Sequence, residues 1–564
     1  MSYDEKPWLK HYDADVFPDI DIPEISVVDK FNAIVSEFPD TPALHFLGIT
    51  VTYKELGELA DRFAQALIQN GCKPGDVVGI NLPNVPQYLI AHFGALKAGC
   101  ASSGVSPLLT PREMAYQLND CKAKALVTLD AIFQHSLKDI AAQLPDLKIV
   151  VATGILDFLP WIKRILGRFI KKVPHGEVTP IQGKMVLRFM EILKEYPAMD
   201  PRVNVTPDDY CLIQYTGGTT GIPKGTILTH RNIVANLSQV DHWLKPAIGD
   251  LVVLSGFPLF HLAGLILGGA AAFYGGTQVL IPNPRDAKHI VKEMAKYRPT
   301  YLFNVPSLYM ILVDEPDFHR LDFSKLIFCV SGASPFPVES IRQLEAVIGE
   351  GKVLEAYGMT ETSPAVTMNP AKGKKKIGSV GVPISNTRVR LVDLDTGAGQ
   401  VPLGEEGELI VLGPQVMKGY LNKPQETAIA LREHDGEVWL HTGDVARMDE
   451  DGYFSIVDRA KDMLSVGGFK VFSRELEEKL YEQPAIEFCA IIGVPNPKRP
   501  GSDTVKLVVQ PKQEFKEKDP ELLKADILAF ARDNFAPYKI PKIIEFIDNM
   551  PLTPVGKVDK KALR

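Results

Sequence analysis

Residues 215 to 225 read YTGGTTGIPKG, a run that gathers glycines, hydroxyls and one lysine. Glycines let the backbone turn its N–H groups toward one anion, and threonine hydroxyls and a mobile ammonium add further donors. A glycine-rich turn alone is often purely structural, but this density of donors predicts a phosphate-binding loop. A Walker loop is excluded, because Gly225 rather than Ser or Thr follows the lysine. The candidate phosphate ligands are Thr216, Gly217, Gly218, Thr219, Thr220, Gly221 and Lys224.

The segments around this loop follow an alternating pattern. The apolar run from Tyr210 to Tyr215 predicts a buried strand that leads into the loop. Through residues 30 to 390, similar apolar runs alternate with amphipathic segments, which predicts parallel sheets sandwiched by helices. The stretch from Leu251 to Pro284 carries no formal charge, but prolines and glycines interrupt it. We therefore predict strand, loop, helix and strand there rather than a membrane span.

Further motifs occur in order along the chain. They are YGMTETSPA at 357–365, GELIVLGPQVMKGYLNKPQET at 407–427, HTGD at 441–444, DRAKDMLSVGGFKVFSRELE at 458–477 and PLTPVGKVDKKALR at 551–564. Together with the loop, these motifs resemble those of the adenylate-forming superfamily, which comprises acyl-CoA synthetases, luciferases and the adenylation domains of peptide synthetases. Nearly the whole chain is covered, and the fatty acyl-CoA ligases are the subfamily that it resembles most.

The resemblance implies an α/β fold in two parts. Residues 1–460 would form a large domain of helix-flanked β-sheets with a smaller barrel-like subdomain, and residues 461–564 a mobile α+β lid. Lys461 matches the hinge between them. Ser473 stands where many relatives have proline, and we expect its side chain to cap the first helix of the lid.

The resemblance also implies a reaction in two steps. A carboxylate attacks the α-phosphate of ATP, giving an acyl-adenylate and pyrophosphate, and coenzyme A then accepts the acyl group. Thr360 and Glu361 match the pair in which a hydroxyl meets the α-phosphate and a carboxylate holds Mg²⁺, with Thr216 as a second oxygen near the metal. Lys557 matches the lysine that bridges the substrate carboxylate and the α-phosphate.

Other site residues are implied in the same way. Asp444 and Arg459 match positions that bind the ribose, although a structural ion pair is the alternative. His261 matches a position beside the acyl tunnel, although a lone histidine in an apolar segment is more often a core residue. The implied adenine-binding residues are Gly332, Ala333, Tyr357 and Gly358; Gly332 also borders the acyl group, and Gly467 and Gly468 border the pantetheine path. The implied acyl pocket draws on residues 232–238, 305–310 and 332–335.

Composition limits the partners and the compartment. A net charge of −7 gives no support to nucleic-acid binding. The six cysteines are scattered without a CxxC pair, which favours reduced thiols in a cytosol over a zinc site. The polar, acidic N-terminus does not match a secretory signal. We predict a cytoplasmic enzyme, either free or peripheral at the inner face of the membrane; its oligomeric state stays open, a homodimer being one option.

Residues 155–173, ILDFLPWIKRILGRFIKKV, suggest two structures. Their apolar residues recur at helical spacing, and basic residues lie between them. Such a helix could lie in a membrane surface or dock on the large domain with a solvated basic face. The residues alone slightly favour docking, because burying the apolar face on the large domain needs no extra partner. The fatty acyl-CoA ligases that the chain resembles carry comparable insertions here, which favours the membrane surface.

The combined motifs predict an ATP-dependent acyl-CoA ligase for medium or long fatty acids. Three alternatives remain: an adenylating enzyme that loads a carrier protein, a luciferase-type oxygenase, and a non-catalytic nucleotide-binding relative. Intact Glu361 and Lys557 argue against the last of these.

Overall fold

The computed structural model describes residues 3–160, 174–216, 223–246, 249–269, 273–334, 336–466, 469–496, 502–553 and 557–564, and the description below concerns these residues. Three segments named above therefore lie outside the described residues: the predicted phosphate-loop residues 217–222, the predicted pantetheine-path residues 467–468 and the amphipathic stretch 161–173.

A mixed sheet, largely parallel, forms one layer of the large domain. Short apolar strands with both faces covered are typical of such sheets, and the strand at 301–304 is buried at every position. In spatial order its strands are Val382–Pro383, Ala365–Met368, Val353–Gly358, Phe328–Ser331, Tyr301–Asn304, Val252–Ser255, Thr277–Leu280, Pro42–Phe46 and Ile49–Thr52.

A second mixed sheet carries the ends of the phosphate loop. In spatial order its strands are Gly419–Tyr420, Lys224–Thr229, Tyr210–Thr216, Ala101–Gly104, Val77–Asn81, Ala125–Leu129, Ile149–Thr153 and Met185–Arg188. The predicted strand from Tyr210 is thus confirmed. It pairs antiparallel with Lys224–Thr229, so the two ends of the loop emerge side by side.

Smaller sheets follow the two large sheets, and their strands are antiparallel except for the parallel pair Asp503–Pro511 and Ile543–Phe546. In the large domain they are Arg388–Val392, Glu406–Leu412, Leu431–His434, Glu437–Met448 and Phe454–Arg459. The C-terminal region contains the hairpin Leu464–Val466 and Phe469–Val471 and the sheet Ile486–Pro495, Asp503–Pro511 and Ile543–Phe546. That sheet packs against helices through buried residues such as Leu476, Ile491 and Ile527. The predicted α+β composition of this region is confirmed.

Helices cover the sheets, and several begin at local capping signals. Thr52 and Glu55 form a reciprocal capping box, as do Thr110 and Glu113. The α-helices are Val27–Glu37, Tyr53–Gln69, Pro86–Lys97, Pro111–Asp120, Asp130–Ile132, Lys138–Ile140, Phe189–Glu195, His230–Leu244, Ala287–Tyr297, Pro306–Val313, Val338–Ile348, Pro424–Ala430, Ser473–Leu480, Pro520–Asn534 and Lys560–Leu563. Among the described helices, none has the length and apolar character needed to cross a membrane.

The uncharged stretch from Leu251 to Pro284 has the predicted order of elements. A strand, Val252–Ser255, leads into a loop, a short π-helix, Ala263–Gly268, and a second strand, Thr277–Leu280. The positions of proline and glycine therefore predicted the order of elements in this region correctly.

The expected cap at Ser473 is wrong. Ser473 is the first residue of its helix, Phe472 occupies the cap position, and no side chain caps the helix there. The Ser473 hydroxyl donates instead to Asp458 Oδ2 at 2.9 Å. A tertiary acceptor has replaced the local one, which the sequence pattern around Ser473 does not reveal.

Candidate active site

The two ends of the phosphate loop lie opposite each other. Thr216 and Lys224 are direct partners in the antiparallel pair that flanks the loop. Lys224 Nζ lies 2.7 Å from Glu426 Oε2 and 4.7 Å from the centre of the Tyr420 ring. The loop lysine is therefore held at the loop mouth by a carboxylate and an aromatic face.

Glu361 lies on a short helical turn and shares a contact, Tyr420, with Lys224. The turn Thr360–Thr362 directly follows the end of a sheet strand, and both Thr360 and Glu361 are buried. Glu361 Oε1 accepts a hydrogen bond of 2.7 Å from the Tyr420 hydroxyl. Because Tyr420 also faces Lys224, it connects the loop mouth to the predicted metal-binding carboxylate.

Asp444, Arg459 and Tyr357 form one hydrogen-bonded group. The Tyr357 hydroxyl donates to Asp444 Oδ2 at 2.6 Å, and Arg459 Nε lies 3.1 Å from Asp444 Oδ1. The Asp444 carboxylate raises the pKa of Arg459, and burial together with Asp444 raises that of Tyr357. The predicted ribose and adenine residues are thus brought together, and the ion pair that we weighed as the alternative is present as well.

Contacts with Glu408 fix the turn that carries Asp444. Glu408 Oε1 accepts from the Gly443 N–H at 3.0 Å, while its Oε2 lies 2.9 Å from His441 Nδ1. Gly443 has a φ of +71°, a left-handed conformation that favours glycine. The Gly443 carbonyl accepts from the Ala460 N–H at 3.0 Å, immediately before Lys461. The Asp444 turn and the predicted hinge are therefore directly connected.

The predicted adenine segment lies at the ends of two neighbouring strands. Ala333 has a φ of +67°, which is uncommon for a residue with a side chain, and Gly332 packs against the Ala356 carbonyl. A Cβ on Gly358 would lie 1.8 Å from the Pro364 carbonyl oxygen, so a larger residue does not fit. Because the side chains at these positions are small or absent, a flat ligand could approach the backbone beside Tyr357.

His261 lies on a loop that buried amides hold. Asn84 accepts from the Leu259 N–H at 2.8 Å and donates to the Phe257 carbonyl at 2.9 Å. Gln214 donates to the Phe260 carbonyl at 2.9 Å. Burial, assisted by the charge of Lys557, lowers the pKa of His261 to about 4, so the ring is neutral near pH 7. The loop offers a fixed, uncharged imidazole.

Lys557 enters this group from the C-terminal segment. Burial lowers its pKa to about 8, and the charges of Arg459, Asp444, Glu361 and Lys461 act on it as well. It also acts on the pKa of His261. The predicted lysine therefore lies close enough to the predicted nucleotide, metal and acyl residues for their charges to act on one another.

The residues present fit a magnesium ion. Glu361 supplies a carboxylate and Thr216 a hydroxyl, and the phosphates of ATP would add the remaining oxygens that Mg²⁺ prefers. Lys461 is exposed, as a hinge residue can be. Seven of the residues with predicted binding roles lie outside the described residues, so their roles stay predictions: Gly217, Gly218, Thr219, Thr220, Gly221, Gly467 and Gly468.

Sequence reasoning missed several residues of this region. Tyr420, Glu426, Glu408 and Asn84 each contact a predicted site residue or the loop that carries one. Glu408, Tyr420 and Glu426 all lie inside the motif at 407–427, which was the available signal. No sequence motif pointed to Asn84, because its hydrogen-bond partners Phe257 and Leu259 are far away in sequence.

Comparisons with known proteins agree with this geometry. The family model described as "AMP-binding enzyme" matches residues 31–421, and that of the "AMP-binding enzyme C-terminal domain" matches residues 475–557. The chain is similar to long-chain-fatty-acid–CoA ligases of Escherichia coli and Bacillus subtilis, each 37% identical over 99% of this chain and 98% of the relative. It is also similar to feruloyl-CoA synthase of an Amycolatopsis species, 34% identical over 93% of this chain and 96% of the relative.

Solved structures extend the likeness to the whole fold. An anthranilate CoA ligase, AuaEII, in complex with anthranoyl-AMP matches with a TM-score of 0.83 and 25% identity, covering 96% of this chain and 97% of that one. ATP-bound MatB from Rhodopseudomonas palustris matches with a TM-score of 0.80 and 26% identity, covering 96% and 98%. The chain belongs to the AMP-binding family of adenylate-forming enzymes and is similar to its fatty acid–CoA ligases.

Proposed function

We propose that this protein is an ATP-dependent ligase that joins medium- or long-chain fatty acids to coenzyme A through an acyl-AMP intermediate. The observation that carries the proposal is the approach of Lys557 to Glu361, Asp444, Arg459 and His261. One ammonium placed among anionic and polar groups suits a reaction in which negative charge builds between a carboxylate and a phosphate.

In the first step, this chain's residues bind and orient ATP and the acid. Thr216, Lys224 and the intervening loop would hold the phosphates, and Asp444 and Arg459 the ribose. Mg²⁺, when bound by Glu361 and Thr216, supplies charge neutralisation at the phosphates. Lys557 would hold the acid's carboxylate against the α-phosphate, so that one carboxylate oxygen forms the P–O bond and pyrophosphate leaves.

In the second step, the thiol sulfur of coenzyme A forms a bond to the acyl carbon and AMP leaves. We propose that residues 461–564 turn about Lys461 between the steps, as a lid distinct from residues 1–460. Gly467 and Gly468 would then border the pantetheine chain. The side chain of Lys461, the predicted hinge residue, is exposed to solvent, which is compatible with such a turn.

A fatty acid is the substrate class that the region next to His261 favours. Leu262, Ala263, Leu265 and Ile266 follow His261 in sequence and are all buried, so the segment that begins at His261 is apolar. Each methylene of an acid buried in such surroundings contributes about 0.8 kcal/mol. The similarity to feruloyl-CoA synthase makes an aryl acid the second candidate.

A pyrophosphate-release screen tests the substrate class. Straight-chain acids of increasing length, ferulate, anthranilate and amino acids are each supplied with ATP, with and without coenzyme A. We expect the specificity constant to rise with chain length and acyl-CoA to form with free coenzyme A. A best substrate with an aromatic ring or an α-amino group would contradict the fatty-acid assignment, and turnover that needs a carrier protein would contradict the ligase.

We further propose a cytoplasmic enzyme that binds the inner membrane surface through residues 155–173. The variant neutralises the basic residues of that segment, which are Lys163, Arg164, Arg168, Lys171 and Lys172. Each is worth roughly 1 kcal/mol near an anionic surface, so sedimentation with anionic vesicles should disappear while turnover of a short soluble acid is kept. If the unmodified protein does not sediment with the vesicles, the helix docks on the protein instead.

A further inference from the structure

A buried polar cluster joins residues on the two sides of the predicted hinge. Asp458 precedes Lys461, whereas Ser473, Glu477 and Lys560 follow it along the chain. Asp458 is 4% exposed and Ser473 is fully buried. Burying such groups is costly unless each finds a partner, so their arrangement needs a reason.

The cluster is a chain of short hydrogen bonds. Lys560 Nζ donates to Ser473 Oγ at 2.7 Å and lies 2.7 Å from Glu477 Oε1. The Ser473 hydroxyl donates to Asp458 Oδ2 at 2.9 Å, and the Arg474 N–H donates to the same oxygen at 3.3 Å. Asp458 therefore binds the first turn of the helix Ser473–Leu480 from across the hinge.

Lys560 is held here in its charged form. Burial opposes the charge, but the carboxylates of Glu477 and Asp458 outweigh burial and raise the pKa of Lys560. A charged donor makes stronger hydrogen bonds than a neutral one. The contact between Lys560 and Ser473 is thus a strong attachment of the C-terminal segment to the helix.

This attachment reaches Lys557 through a short, internally bonded segment. The Thr553 N–H donates to the Lys557 carbonyl at 2.7 Å, and the Lys557 N–H donates to Thr553 Oγ1 at 3.1 Å. Leu552 and Val558 form a bridge around that pair. Since Lys560 is three residues beyond Lys557, fixing the Lys560 side chain restricts where the Lys557 ammonium can lie.

We propose that Lys560 and Ser473 are positioning residues of the adenylation step, which hold Lys557 in the site by attaching its segment to Asp458. The inference rests on the proposed role of Lys557. A turn of the lid about Lys461 would break the bond between Ser473 and Asp458, because these residues lie on opposite sides of the hinge. The bonds between Lys560, Ser473 and Glu477 would move with the lid. The cluster therefore favours the pose of the first step and is released for the second.

Ser473 allows a test that spares the helix. Proline is tolerated at the first position of a helix, and Phe472 already has the extended conformation that a residue before proline adopts, with φ −88° and ψ 114°. Ser473→Pro and Ser473→Ala each remove the hydroxyl that links Lys560 to Asp458. Lys560→Met removes the ammonium, and Lys560→Arg keeps the charge. Lys561→Met, at an exposed neighbouring position, is the matched control.

The measurements are acyl-adenylate formation by pyrophosphate exchange and acyl-CoA formation from supplied acyl-adenylate, with Lys557→Ala as reference. We expect both Ser473 variants and Lys560→Met to slow the first step by about tenfold, the cost of one charge-assisted hydrogen bond, without slowing the second. Lys560→Arg should recover part of the loss, and Lys561→Met should match the unmodified enzyme.

Two results would overturn the inference. Unchanged adenylation in the Ser473 and Lys560 variants, while Lys557→Ala loses it, would show that the cluster does not position Lys557. Equal losses of rate in adenylation and in acyl transfer would show that the cluster has only a structural role. If Lys557→Ala itself keeps full adenylation, the proposed function of Lys557 fails, which is a different outcome from either.

Discussion

Lys557 is the residue whose environment most constrains the chemistry. Its pKa of about 8 follows from burial, with Arg459 and Lys461 acting in the same direction and Asp444 and Glu361 against them. The ammonium is therefore charged at neutral pH but close to losing its proton. A carboxylate and a phosphate attract a lysine only in its charged form, so activity should follow this proton.

The first prediction is a pH limit on adenylation. The specificity constant for acyl-adenylate formation, which reports groups in the free enzyme, should fall as pH rises through about 8, because Lys557 loses its charge there. Lys557→Arg should remove that limit, since a guanidinium stays charged. Lys557→Ala should lower adenylation by roughly 10²- to 10³-fold while sparing acyl transfer from supplied acyl-adenylate. A flat profile of the unmodified enzyme through pH 9 would contradict the assignment.

At the scale of elements, the strand Val353–Gly358 carries both a site residue and an unusual acid. Tyr357 contacts Asp444, and two residues earlier Glu355 is 9% exposed, with its Oε2 accepting from the Gly378 N–H at 2.8 Å. Burial raises the pKa of Glu355 from 4.5 to about 8. The side chain is therefore largely protonated in the folded protein at neutral pH, whereas it ionises in the unfolded chain.

The second prediction concerns stability. A raised pKa contributes stability that is complete below the unfolded value and is lost as pH rises through the folded value of about 8. Glu355→Gln keeps an acceptor for Gly378 and removes this loss. The variant should gain on the order of 3 kcal/mol in free energy of unfolding at pH 8, and little at pH 4.5. Glu350→Gln, at an exposed position just before that strand, should show no such trend.

Chemical unfolding of both variants at the two pH values provides the measurement. An equal effect of Glu355→Gln at both values would show that Glu355 ionises in the folded state as it does in the unfolded chain. The burial of the strand Val353–Gly358 would then be less complete than the structure indicates.

Elements and site residues differed in how far the sequence could predict them. The strand at Tyr210 and the strand, loop and helix around His261 follow from local apolar patterns and punctuation, and they were predicted. The hydrogen bond of Ser473 was not predicted, because its acceptor Asp458 lies on the other side of the predicted hinge at Lys461. The contact of Tyr420 with Glu361 also depends on a tertiary strand pairing. Local propensity predicts elements, whereas the partners of buried polar groups depend on the assembled fold.

At the scale of the whole molecule, the site is built from both ends of the chain. The phosphate loop and His261 come from the sheets of the first half, Asp444 from an antiparallel hairpin, and Lys557 from the last residues. Hydrogen bonds through Gly443 and Ala460 link Glu408 and the Asp444 turn to the residue before the predicted hinge, Lys461. If residues 461–564 turn about Lys461 as proposed, moving this one segment would separate the two reaction steps, because Lys557 lies in it and the predicted nucleotide-binding residues do not.

The measurement that tests the acyl-adenylate route most directly is the transfer of oxygen from the acid. A fatty acid with both carboxylate oxygens labelled with ¹⁸O is converted with ATP, Mg²⁺ and coenzyme A. The masses of the AMP and pyrophosphate that form are then measured by mass spectrometry. Because a carboxylate oxygen forms the bond to the α-phosphorus and leaves with AMP when the thiol attacks, AMP should carry one ¹⁸O and pyrophosphate none. Unlabelled AMP, or label in pyrophosphate or orthophosphate, would contradict the mechanism.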